Sequence, residues 1–128
     1  VRLCALIASM FFAVSAVPAA ANGFVNNRAQ WLQLSPEAQA AYAQGLNDSL
    51  NLVFADDDLN AALVKVGRTQ CMIENKITAA MLADKISAAY RDERFAQLKP
   101  AAVYLIRITD ECKLTINQTR LSFGLGPM

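Results

Sequence analysis

From residue 35 onward, apolar residues recur every three or four positions in four separate stretches, each with its own start signal. In "SPEAQAAYAQGLNDSLNLVF", Ser35 stands at an N-cap and Pro36 at the first helical position. Glu37 falls in the first turn, where a carboxylate meets the positive end of a helix. The apolar stripe of this helix is Ala38, Tyr42, Leu46, Ser49, Leu50, Val53 and Phe54. Upstream, "FVNNRAQWLQL" predicts a shorter helix that buries Val25, Trp31, Leu32 and Leu34. After the acidic run, "LNAALVKVG" predicts two to three turns with Leu59, Ala62, Leu63 and Val66 facing inward and Gly67 as terminator. Thr78 caps "AAMLADKISAAYRDE", whose stripe is Met81, Leu82, Ile86, Ala89 and Tyr90. Pro100 opens the last helix, which carries Ala101, Tyr104, Leu105, Ile108 and Cys112 on one face. The tail "RLSFGLGPM", with two glycines and a proline, reads as loose. Such stripes in a short chain have only one another to cover them. The expected core is therefore Tyr42, Leu46, Leu50, Val53, Leu82, Ile86, Leu105 and Ile108, and the expected fold is all-α, a small bundle of four to five helices.

The first residues change which part of the chain this bundle uses. Arg2, an apolar run from Leu3 to about Val17 and the small residues Ala19, Ala20 and Ala21 have the layout of a secretory signal peptide. The run is shorter than the roughly 20 residues of a spanning helix. Cleavage is expected after Ala21, taking Cys4 away and leaving a single helical domain, residues 22–128. That domain has 107 residues, and the loss of Arg2 balances its charge, 11 basic against 11 acidic. A neutral, unpatterned surface argues against nucleic acid or an anionic membrane as partner. Export places the domain in the periplasm, an oxidising compartment.

Cys71 and Cys112 then permit one intramolecular bridge, with free thiols or an intermolecular bridge as the alternatives. The sequence puts Cys71 just ahead of the Thr78 helix and Cys112 toward the end of the last helix. If those two helices pack antiparallel, the cysteines meet. On the chain-entropy model a bridge over so long a loop is worth about 4 kcal/mol.

Catalytic candidates are sparse. The chain has no histidine, which removes histidine-based triads and the common mixed zinc sites. The five glycines never cluster ahead of a helix as a phosphate loop requires. Asp56, Asp57 and Asp58 lack the glycine and later glutamate of a calcium loop, so they read as a solvated helix start, not a metal site. No cofactor and no enzymatic activity is expected. The acidic run, with Lys65 and Arg68, is the most distinctive polar feature that the core does not need. The segment 55–69 is therefore the expected partner-binding face.

Three segments, "AYAQGLNDSL", "QCMIENKITAAMLADKISAAYRDE" and "PAAVYLIRITDEC", resemble in order the small periplasmic immunity proteins that neutralise type VI secretion peptidoglycan amidases. The matching positions are Tyr42, Gly45, Asp48, Cys71, Thr78, Pro100, Ala101 and Cys112, and the likeness spans about residues 35 to 112. The resemblance implies a non-catalytic inhibitor whose partner is a cell-wall amidase toxin, and it leaves a homodimer open. The competing expectation is a periplasmic acid-stress or folding chaperone, a class of small helical proteins that also carry a single disulfide.

Overall fold

The computed structural model describes residues 24–128; the expected leader, residues 1–21, lies outside them. Four helices start on capping side chains, each accepting a hydrogen bond from a backbone N–H of the first turn. Asn27 caps α1 (Arg28–Trp31), Ser35 caps α2 (Pro36–Leu50), Asp58 caps α3 (Leu59–Glu74) and Thr78 caps α4 (Ala79–Ala89). A 3₁₀ turn, Glu93–Phe95, leads to α5 (Pro100–Glu111), which starts on proline, and α6 (Lys113–Ser122) follows. The described residues form six helices and no strand. The sixth arises because the expected last helix is two, meeting at Cys112, which ends α5 and begins α6. None of the described helices is long and apolar enough to cross a membrane.

α3 does not stop at Gly67. It continues to Glu74, so Cys71 sits within it and not in a connector ahead of α4. The glycine serves packing instead of termination. A Cβ built on Gly67 would stand 2.6 Å from the Ile116 Cα, so α6 approaches α3 more closely than any side chain permits. The true stop lies nine residues on, where Lys76 takes a left-handed φ of 51°. Lys76 N–H donates to the Ile73 carbonyl and Ile77 N–H to the Met72 carbonyl, a Schellman closure made without glycine.

α3 packs chiefly on α6 and α2 on α4, while α5 touches all four. The core holds Trp31, Tyr90, Tyr104, Ile86, Ile108, Ile116 and Val103, all essentially inaccessible. Trp31 stands edge-on to Tyr42 at 5.9 Å and donates its indole N–H to Ser87 Oγ. Of the expected core, Leu82, Ile86 and Ile108 are buried, and Tyr42, Leu46, Leu50 and Leu105 pack partly covered against it. Val53 is an error of the periodic reading: α2 ends at Leu50, so Val53 and Phe54 follow a non-helical path outward. Leu32 and Met81 are exposed as well, as are Ala38 and Ser49. In α3 the Gly67–Ile116 contact sets the rotation. It turns Leu63, Gly67, Arg68, Cys71 and Met72 inward and leaves Leu59 and Val66 outside.

Cys71 and Cys112 form the one disulfide of the described residues, 41 residues apart in sequence and 5.6 Å apart at Cα. The bridge joins α3 to the α5–α6 junction, not the entry of α4 to the last helix as expected. Both cysteines are buried. The tail is not loose. Gly124, at φ 75°, closes α6 through bonds from Gly124 N–H to the Leu121 carbonyl and from Leu125 N–H to the Arg120 carbonyl. Arg120 Nε then donates to the Gly126 carbonyl, and Met128 N–H to Asn117 Oδ1.

Two measurements test this packing. Gly67→Ala should destabilise the fold by about 1–3 kcal/mol, because overpacking against α6 outweighs the gain of roughly 1 kcal/mol that alanine brings to a helix. Equal or higher stability in denaturant titration would disprove the close approach. Reduction removes a bridge worth about 4 kcal/mol, so the melting temperature should fall by well over ~10 °C at roughly 4–8 °C per kcal/mol. Peptide mapping of the unreduced protein should recover Cys71 and Cys112 in one linked fragment.

Candidate functional site

The connection between α2 and α3 is where the structure departs most from core packing. Leu52, Val53 and Phe54 follow one another in the chain and all three are exposed, as is Leu59 at the start of α3. Exposed single apolar residues are ordinary, but three in succession on one turn are not. Asp56 and Asp58 stand exposed beside them.

This turn is held from within. Asp57, turned partly inward, accepts the Phe54 N–H at 2.8 Å and binds Lys65 Nζ through both carboxylate oxygens, at 2.8 and 2.6 Å. Lys65 Nζ lies 4.9 Å from the centre of the Phe54 ring, a cation–π contact that fixes the ring from its face. The Lys65 hydrogen bonds, and after them the Phe54 N–H, hold the Asp57 carboxyl below the usual carboxylate range. Asp58 spends its carboxylate on the Ala61 N–H as the cap of α3.

Beneath the turn lies Arg68, only 5% exposed. Its Nη2 donates to the Leu50 carbonyl, its Nε to Asn51 Oδ1, and its Nη1 to Thr109 Oγ1. Asn51 Nδ2 donates to Asn47 Oδ1 and to the Tyr104 hydroxyl oxygen, and Tyr104 O–H donates to Asn47 Oδ1. Every partner of the guanidinium is a neutral oxygen. The negative end of α2 at Leu50 supplies what compensation its charge receives. Desolvation pulls the Arg68 pKa down, yet a guanidinium stays protonated in proteins. Burial likewise pushes the Tyr104 hydroxyl up, so it stays neutral and remains a donor.

Of the five expected partner-binding residues, the structure places Asp56 and Asp58 on the surface, folds Asp57 and Lys65 into one ion pair, and removes Arg68 to the interior. Arg68 lies on the inward face of α3 beside Gly67 and Cys71, and its side chain reaches the end of α2 at Leu50 and Asn51. The sequence reading missed Leu52, Val53 and Phe54 as surface groups by assigning the last two to a stripe. A signal was present, since three consecutive apolar residues cannot share one face of a helix. Among the described residues, no group of three or more His, Cys, Asp or Glu side chains is placed to hold a metal ion.

No protein-family model, curated protein or solved structure matches this chain.

Asp57 gives the site a pH dependence whose sign is fixed. Because its folded pKa lies below the ordinary 3.8, its contribution is complete above the carboxylate range and disappears as pH falls through the depressed value. The Phe54 amide proton should report this in an NMR titration with a midpoint below 3.8, and Asp57→Asn should abolish the transition. A midpoint at or above 3.8 would show that the carboxylate does not hold the turn.

Proposed function

We propose that the protein is a non-catalytic binding protein whose docking element is the α2–α3 turn. The observation that carries this reading is the run Leu52–Val53–Phe54, exposed yet locked by Asp57, Lys65 and Arg68. Protein interfaces draw their energy from a few apolar or aromatic anchors inside a polar rim. Here the anchors are Val53 and Phe54, and Asp56 and Asp58 are the rim. Because the turn is fixed beforehand, little conformational freedom is lost on docking.

The resemblance in the sequence names the partner class: a cell-wall amidase toxin of a type VI secretion system, inhibited in the periplasm. The signal-like start of the chain and the buried disulfide both suit an exported protein. The competing acid-stress reading asks for a fold that loosens as carboxylates protonate, and two described ion pairs would lose their contribution only as pH falls below the ordinary carboxylate pKa. Asp92, hydrogen-bonded by the Arg94 guanidinium, is pulled down to about 2, and Asp57 is lowered too.

Co-expression with type VI amidases directed to the periplasm, including any encoded beside this gene, tests the proposal. The wild type should restore growth. A Phe54→Ala, Asp56→Lys variant of unchanged melting temperature should weaken binding by at least about tenfold, the scale of a lost anchor. Rescue by both proteins alike would keep the immunity role and discard this face. Failure of folded, exported wild type would discard the immunity role.

A further inference from the structure

Basic residues that lie far apart in the sequence meet where α1, the 3₁₀ turn and α5 come together. Arg28 N–H donates to the Ala96 carbonyl, and its Nη1 donates to the Tyr90 carbonyl and to Glu93. The chain around this contact carries Arg91 and Arg94, and Lys99 follows as the N-cap residue of α5. The Tyr90 O–H donates to the Leu98 carbonyl and Lys85 pairs with Glu111, so α5 runs back alongside α4. Arg107, one turn before Glu111, therefore comes beside the end of α4. There the Asp92 carboxyl is drawn down to about 2, chiefly by its bonds from Arg94, with the Arg107 charge adding to them.

The acids at this face do not neutralise it. Asp92 and Glu93 each already hold one guanidinium, of Arg94 and Arg28. Glu37, at the start of α2, bonds its own N–H and Ser35. Arg91, Lys99 and Arg107 are exposed and take part in no ion pair among the described residues. The domain is neutral in total, as its sequence implied, but its surface is patterned: cations gather at the α1 end of α2, and Asp56 and Asp58 stand beyond its other end.

Two apolar side chains edge the same face. Leu32, one helical turn after Arg28, is 62% exposed, and Phe24, four residues before it, is 79% exposed. Cations beside exposed apolar groups are the pattern of surfaces that lie among the headgroups of anionic bilayers. The point at which the chain enters the fold favours a bilayer over an acidic protein. The expected signal peptide ends at Ala21, and Phe24 stands three residues on, at most about 11 Å of extended chain. Export thus leaves this face beside the membrane.

We propose that this face docks on an anionic phospholipid bilayer. Arg91, Lys99 and Arg107 meet the headgroup phosphates, and Phe24 and Leu32 reach the acyl boundary. The α2–α3 turn, about 22 Å away along α2, stays free toward the periplasm.

Vesicle flotation of residues 22–128, which contain all six helices, tests the proposal. Vesicles of phosphatidylglycerol and phosphatidylcholine in equal parts should bind the protein at least about tenfold more strongly than phosphatidylcholine alone, and about 0.5 M salt should remove the difference. Arg91→Glu with Arg107→Glu should weaken that binding by at least about tenfold at an unchanged melting temperature. Lys76→Glu with Lys113→Glu makes the same change in net charge at exposed cations of other elements, and should cost less than about threefold. No binding to the anionic vesicles, equal binding to the neutral ones, or equal losses in the two charge-reversed proteins would each overturn the proposal. Absent vesicle binding, together with loss of amidase binding in the arginine variant, would assign the face to an acidic protein instead.

Discussion

A guanidinium buried without a counter-carboxylate is the constraint on which the arrangement of α2, α3 and α5 rests. Taking a cation out of water costs several kcal/mol, and that cost is tolerable only where good acceptors surround it. Arg68 finds three of them at two places distant in sequence: the end of α2 at Leu50 and Asn51, and Thr109 on α5. Any sliding of one helix against the others would strand a charge or a polar oxygen in the interior. Asn47 and Tyr104 extend the same network, and no side-chain polar atom buried among the described residues lacks a partner. The network therefore specifies geometry more than it adds stability. It is also why the turn that follows Asn51 leaves the body of the protein at a fixed angle.

The second constraint is topological. α2 pairs with α4 and α3 with α6, so helices that are neighbours in sequence belong to different pairs. Neither pair is a contiguous piece of chain, and α5 joins both. The Cys71–Cys112 bridge encloses α4 and α5 in one covalent loop and fixes α6 at the point where Gly67 admits it. No single cut divides the described chain into two parts that each keep their own packing partners.

The start signals were the most legible part of the sequence, because Ser35, Thr78 and Pro100 act through local bonds that need no distant partner. Asp58 was read as a helix start for the same reason. Rotation and length were less legible. Gly67 carries the composition of a terminator, but its role is decided by Ile116, 49 residues away, and no local pattern encodes that contact. Val53 and Phe54 continued the α2 period on paper. What ends α2 is Asn51, whose side chain is drawn into the Arg68 network. The same network accounts for the misplaced Arg68: a charged residue reads as surface until a buried set of neutral acceptors is known. The acidic run was read as one polar feature, while its division into a cap, an ion pair and one free carboxylate depended on side-chain geometry.

Trp31 is the chain's single tryptophan, and it lies wholly inside the half of the protein built by α1, α2 and α4, between Tyr42 and Tyr90, with its indole N–H on Ser87. The disulfide and the Gly67 contact belong to the other half, around α3 and α6. The molecule thus carries a built-in optical reporter confined to one of two interlocked halves. Indole emission follows loss of the α2–α4 packing, whereas reduction of the buried disulfide by an added dithiol follows opening at α3 and α6. Comparing the two signals along one unfolding transition distinguishes a fold that opens as a unit from one whose halves part in sequence.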